Sequence, residues 1–183
     1  SGSSRGLGDV YKRQVSVFEE RVAQLEGGRG AVATSSGHAA QFIAAATLME
    51  AGDEFIASRN LYGGSVTQFG VSFPKLGWKC NFVDPTDPAN FEKAMNDKVK
   101  FIFCEGVANP GGIILDLEKI ADIAHKHGVL LIVDNTLASP YLLRPFEWGA
   151  DLVVHSTTKF IGGHGNTMGG ILILSLIHIS EPT

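Results

Sequence analysis

Sulfur is scarce in this chain of 183 residues, which carries two cysteines, Cys80 and Cys104, and three methionines. A disulfide framework or a thiolate zinc site needs more cysteines at closer spacing. Each of the two sits inside an apolar run, residues 78–83 and 99–104, where a small buried hydrophobe is expected. Excess charge is lacking as well. Fifteen Lys and Arg against nineteen Asp and Glu give a net charge of -4, which leaves no electrostatic footprint for nucleic acid. No apolar run approaches the roughly 18 residues that span a bilayer, and the start has no apolar stretch of the secretory type. Neither nucleic acid nor membrane is an expected partner, and a cytoplasmic location is. The chain also has no Gly-x-x-x-x-Gly-Lys phosphate loop, no dinucleotide glycine fingerprint and no nucleophile elbow. His125 and His127 stand two apart near a helix end, where side chains diverge, so they are read as partners of the helix dipole and no metal site is expected.

What is present is ordinary for a globular α/β domain, with 44% hydrophobic residues, 19% charged and 22 glycines. The length suffices for one domain with a sizeable core. Apolar strand-like runs alternate with helical patterns, the signature of a mainly parallel sheet with crossover helices. Strands are expected at residues 31–34, 54–57, 79–83, 99–104, 129–133, 151–155 and 170–174, seven in all. The last follows a glycine loop without a crossover helix, which admits antiparallel entry. Helices are expected at 17–26, where Phe18, Val22 and Leu25 recur at helical spacing before Gly27 and Gly28, and from about 36 to 50, 64–76, 87–95 and 117–127. The fold class is α/β, with helices on both faces of a seven-stranded sheet.

Two chemically distinctive residues fall at the carboxyl ends of expected strands, where open α/β sheets bind ligands. The run 129–133 delivers Asp134, and the run 151–154 leads into His155-Ser-Thr-Thr-Lys159. Alone, Lys159 reads equally well as a solvated loop lysine and Asp134 as a helix cap. Together they suit pyridoxal 5'-phosphate, which needs an amine for its aldehyde, a carboxylate at its pyridine nitrogen, and hydroxyl and N–H groups for its phosphate. Ser156 and Thr158 are placed for the phosphate. Residues 35–37 offer a helix N-terminus that favours an anion, although Ser35 or Ser36 could simply cap that helix.

Five motifs in order, Ser35-Ser-Gly-His-Ala-Ala40, Leu61-Tyr-Gly-Gly64, Asn109-Pro110, Val133-Asp-Asn-Thr136 and Ser156-Thr-Thr-Lys-Phe-Ile-Gly-Gly-His-Gly165, resemble the Cys/Met-metabolism pyridoxal-phosphate enzymes of fold type I. Within that family the likeness leans toward the O-acetylhomoserine sulfhydrylases, through His38 and residues 160–165. The resemblance covers residues 15–174. It implies that Lys159 binds the cofactor aldehyde, that Asp134 partners the pyridine nitrogen, and that Tyr62 stacks on the ring and assists proton transfer. Lys159, Tyr62 and Asp134 are thus the implied catalytic residues. Asn109 is implied at the ring hydroxyl, and Ser36, Gly37, His38, Thr136, Ser156 and Thr158 complete the implied cofactor-binding set. The implied activity is a transferase reaction, γ-replacement on O-acetylhomoserine with sulfide giving homocysteine and acetate. A γ-lyase, a cystathionine γ-synthase and a catalytically silent cofactor-binding fragment are the alternatives. The parent is implied to be a homotetramer whose sites are shared between subunits.

The chain also departs from the family. Members carry Tyr-x-Arg and Asn-Pro-Thr before the first helix, and residues 7–14 hold neither, with Tyr11-Lys-Arg13 four residues out of register. Gly106 stands where serine is more frequent. Residues 1–14 and 175–183 look like translated adapter sequence, and the C-terminal domain that supplies a substrate-binding arginine in relatives is missing. The expectation is a cofactor-binding domain at 15–174 from a longer enzyme.

Overall fold

A computed structural model of the chain describes residues 7–175. The ends of the two expected adapter segments, residues 1–6 and 176–183, lie outside the described residues. Helix α1 (Leu7–Glu26) begins ten residues before the expected position, so it runs through part of the segment set outside the domain. It leads to β1 (Gly30–Thr34), α2 (Gly37–Leu48), β2 (Glu54–Ser58) and α3 (Gly63–Thr67). The expected single helix at 64–76 is a correction. After α3 the chain widens into a π turn, Gln68–Ser72, then tightens into a 3-10 turn, Phe73–Leu76. Pro74, at the start of the 3-10 turn, contributes to the second change, because it offers no N–H to an α-helical ladder.

Then come β3 (Lys79–Val83), α4 (Ala89–Lys93), β4 (Val99–Glu105), α5 (Leu117–Lys126), β5 (Leu130–Asp134), α6 (Ser139–Leu142), β6 (Leu152–Ser156) and β7 (Gly170–Leu174). The described residues form one seven-stranded sheet in the order β1-β7-β6-β5-β4-β2-β3. Only β7 runs against the rest, antiparallel to both β1 and β6, while β4, β5 and β6 pair in parallel. The antiparallel entry expected for residues 170–174 is therefore present, and helix α4 is shorter than expected at each end.

Alternation along the central strands divides the core between two faces. Ile102, Cys104, Leu131, Val133 and Val153 face one layer, packed with Val22, Phe91, Ile120 and Ala124. Phe101, Phe103, Ile132 and Val154 face the other, with Ala40, Ala44, Phe69 and Phe73. On this second face Phe55 stacks on Phe101 at 4.7 Å between centroids, and Phe69 meets Phe103 edge-on at 4.9 Å. Such aromatic pairs add to the burial of their area. Phe69 also meets Phe55 edge-on at 5.1 Å, so it pins the irregular 63–76 segment to both β2 and β4 and sets where Tyr62, just before it, emerges.

Cys104 is buried and Cys80 half-buried, both in strands as expected. The two histidines diverge, His125 to Asp151 at 3.0 Å and His127 to Glu92 at 2.8 Å.

Candidate active site

The carboxyl ends of β4, β5 and β6 open into a cleft of about 650 Å³. Asp134 is the last residue of β5, and Ser156 ends the neighbouring parallel strand β6. Lys159 lies one turn beyond, its backbone N–H donating to Ser156 O at 3.2 Å. Lys159 is exposed, and its Nζ makes no hydrogen bond or ion pair among the described residues. Both Lys159 and Asp134 line the cleft.

The wall opposite is the start of α2. Ser36 caps it, its Oγ accepting from Ala39 N at 3.1 Å, while Ser36 O accepts from Ala40 N. The serine is thus the helix cap as well as part of the cleft lining. Capping uses the N–H groups of Ala39 and Ala40, so those of Gly37 and His38 carry the open end of a twelve-residue helix. Two glycines bring that end down onto the sheet. A Cβ on Gly37 would meet Ser156 Cβ at 2.8 Å and Cα at 3.0 Å, and one on Gly170 would meet Ser36 O at 2.1 Å.

Tyr62 and Asn109 enter from the loops after β2 and β4. Tyr62 is half exposed, at 48%, and stacks on the His38 ring with centroids 6.0 Å apart. Thr136 braces the floor. Its N–H donates to Asp134 Oδ1 at 2.9 Å and its Oγ1 accepts from Ser156 N at 2.8 Å. Thr158 Oγ1 is occupied with the backbone of Gly169, accepting from its N–H at 3.1 Å. All ten residues singled out in the sequence line this one cleft.

Glu105 and Gln41 also line the cleft, and neither was singled out from the sequence. Glu105 ends β4 in register with Asp134, the same strand-end signal that marked Asp134 and Lys159. Its carboxylate accepts the N–H groups of Tyr62 at 2.7 Å and Asn109 at 2.8 Å, holding both loops. Burial pushes its carboxyl up to about 7, against the pull of those two N–H groups and with a smaller push from Asp134. Gln41, one turn into α2, donates to Asp134 Oδ2 at 3.1 Å and to Ser65 Oγ at 3.0 Å. A lone long polar side chain in an alanine-rich helix was the available signal.

The family model for Cys/Met metabolism PLP-dependent enzymes matches residues 8–181. The chain belongs to that family. Among curated relatives, sulfhydrylase FUB7 of Gibberella moniliformis is 51% identical over 172 residues, covering 91% of this chain and 40% of that protein. The O-acetyl-L-homoserine sulfhydrylase of Leptospira meyeri is 48% identical, covering 91% and 39%. A crystal structure from Campylobacter jejuni, described as a candidate O-acetylhomoserine (thiol)-lyase and carrying N'-pyridoxyl-lysine-5'-monophosphate, superposes with a TM-score of 0.88 at 38% identity. It covers 89% of this chain and 40% of that one. The chain thus spans about 40% of the length of these relatives.

The residues present fit the cofactor of this PLP-dependent family. The cradle between Gly37 and Ser156 has no room for a Cβ, and it presents N–H groups at the positive end of a helix. Asp134 accepts one N–H on each oxygen, which leaves acceptor capacity for a third donor. Lys159 supplies a primary amine at the same cleft.

Proposed function

We propose that residues 15–174 are the cofactor-binding domain of a transferase that exchanges the acetate of O-acetylhomoserine for sulfide, forming homocysteine. One observation carries this reading: an amine and a carboxylate, from the ends of adjacent parallel strands, line one cleft beside an open helix N-terminus. The relatives named as sulfhydrylases support the choice of reaction.

Bound pyridoxal phosphate supplies an electron sink. The chain's residues supply placement and proton movement. Lys159 Nζ holds the aldehyde carbon until a substrate amine displaces it, and then takes the proton from the substrate Cα. Asp134 holds a proton at the pyridine nitrogen. Tyr62 covers the ring and assists proton transfer near the leaving group, and Asn109 bonds the ring hydroxyl. The N–H groups of Gly37 and His38, with Ser156, hold the phosphate, joined by Thr158 when its Oγ1 turns from Gly169 O, while Ser36 and Thr136 fix the walls of its site.

The partners of the whole enzyme are an amino-acid substrate and sulfide, and it works in the cytoplasm as a homotetramer with shared sites. Exposed apolar side chains support an assembly, among them Tyr141 at 92% and Ile114 at 79%.

Adding pyridoxal phosphate to the purified chain should give a visible absorption band that Lys159→Ala abolishes. With O-acetylhomoserine and sulfide, acetate release with homocysteine supports replacement, whereas 2-oxobutyrate would show elimination. A band insensitive to Lys159→Ala would overturn the reading.

A further inference from the structure

Helix α2 presents Gly37, Ala40, Gln41, Ala44 and Ala45 as its buried residues. Four of these five are small and apolar or lack a side chain, as packing against the sheet favours. Gln41 does not fit that pattern. It is 5% exposed, and its Oε1 has no hydrogen-bond partner among the described residues. Leaving a buried carbonyl unpaired costs roughly 1–3 kcal/mol, so packing alone would be better served by methionine or leucine.

The other end of the amide shows what offsets that cost. Nε2 donates both of its hydrogens, one to Asp134 Oδ2 at 3.1 Å and one to Ser65 Oγ at 3.0 Å. Ser65 is 1% exposed and belongs to α3, so the amide is held from a second element. Among the described residues Asp134 is otherwise held only through Oδ1, by the Thr136 N–H at 2.9 Å. One hydrogen bond leaves a carboxylate free to swing about its side-chain torsions. A second, on the other oxygen and from the opposite wall, fixes its plane. The amide cannot be reversed in place, since Oε1 would then confront an acceptor.

We propose that Gln41 is a positioning residue that orients the Asp134 carboxylate toward the cofactor's pyridine nitrogen, with Ser65 anchoring the amide. This rests on the reading of Asp134 given above. Gln41 touches neither the cofactor's reacting atoms nor substrate in this assignment. It acts through Asp134.

The test is a double-mutant cycle on the full chain, read by titration with pyridoxal phosphate and by the position of the visible band. Gln41→Met keeps volume and removes the donor. It should weaken cofactor binding by about tenfold, as loss of a hydrogen bond to a charged group does, and should displace the band. In an Asp134→Ala background, where there is nothing left to orient, the same substitution should change binding less than about twofold and leave the band in place. Equal effects in the two backgrounds, or none in either, overturn the proposal. Should Gln41→Met fail to fold, Ser65→Ala removes only the second anchor and must shift the band in the direction that Asp134→Ala does. An unmoved band there overturns the proposal equally. If the unsubstituted chain gives no band dependent on Lys159, the reading of the site itself fails and takes this proposal with it. A normal unsubstituted band with an indifferent Gln41→Met defeats the role of Gln41 alone.

Discussion

The roles proposed for Lys159 and Asp134 make separable demands. Lys159→Ala removes the amine and should abolish the visible band. Asp134→Asn keeps the shape of the floor, so binding should persist, while the turnover proposed above should fall by roughly two orders of magnitude, the scale for losing one electrostatic stabiliser. Unchanged turnover in steady-state assays would remove Asp134 from the mechanism. Gly37 makes a purely steric demand, because a side chain there meets Ser156 Cα at 3.0 Å. Gly37→Val should cost about 1–3 kcal/mol, read by urea unfolding, and should weaken cofactor binding as well. Asp134 and Lys159 were legible because polar groups at the ends of apolar runs have few structural excuses. Glu105 carried the same mark, but its partners, the N–H groups of Tyr62 and Asn109, come from loops that only the fold brings onto it. The link from Gln41 to Asp134 spans 93 positions, and helical periodicity does not report which strand a helix residue will touch.

At the scale of elements, α1 is fastened to the site by a fully buried cluster. Glu26, its last residue, accepts from Asn135 Nδ2 at 2.8 Å with Oε1, and the same oxygen pairs with His155 Nε2. Asn135 lies between Asp134 and Thr136 in the chain, and His155 precedes Ser156, so one carboxylate steadies both strand ends beneath the cleft. Glu26→Ala leaves two polar groups buried without their shared partner. The expected loss is about 3 kcal/mol, measured by denaturant titration, and a loss below about 0.5 kcal/mol would show that the cluster is not structural. The strands were legible to within a residue or two because the central ones are buried on both faces and read as continuous apolar runs. The 63–76 segment was not. Its Phe69 and Phe73 recur at helical spacing, and the break comes from Pro74 and from contacts with Phe55 and Phe103 that lie far away in sequence.

For the molecule as a whole, Glu105 links pH to stability. Its folded-state value is raised from 4.5 to about 7, so the folded state binds the proton more tightly than the unfolded chain. The stability it contributes is fully present below about pH 4.5 and is lost as pH rises through about 7. The change across that window is on the order of 3 kcal/mol. Unfolding curves at either end of the window should differ accordingly, and Glu105→Gln should flatten that part of the profile; an unchanged slope would assign the effect elsewhere. The α/β class and the antiparallel last strand followed from local pattern. The insertion of β7 between β1 and β6 did not, because strand order is set by pairing across the sheet rather than by any run of residues.

Lys159 is proposed as the amine that holds pyridoxal phosphate in the cleft it shares with Asp134. Borohydride reduction of the cofactor-loaded chain, followed by peptide mapping, tests it most directly. One pyridoxyl group is expected, on the peptide containing Lys159, and none in Lys159→Ala. Label on another lysine, with Lys159 unmodified, would contradict it.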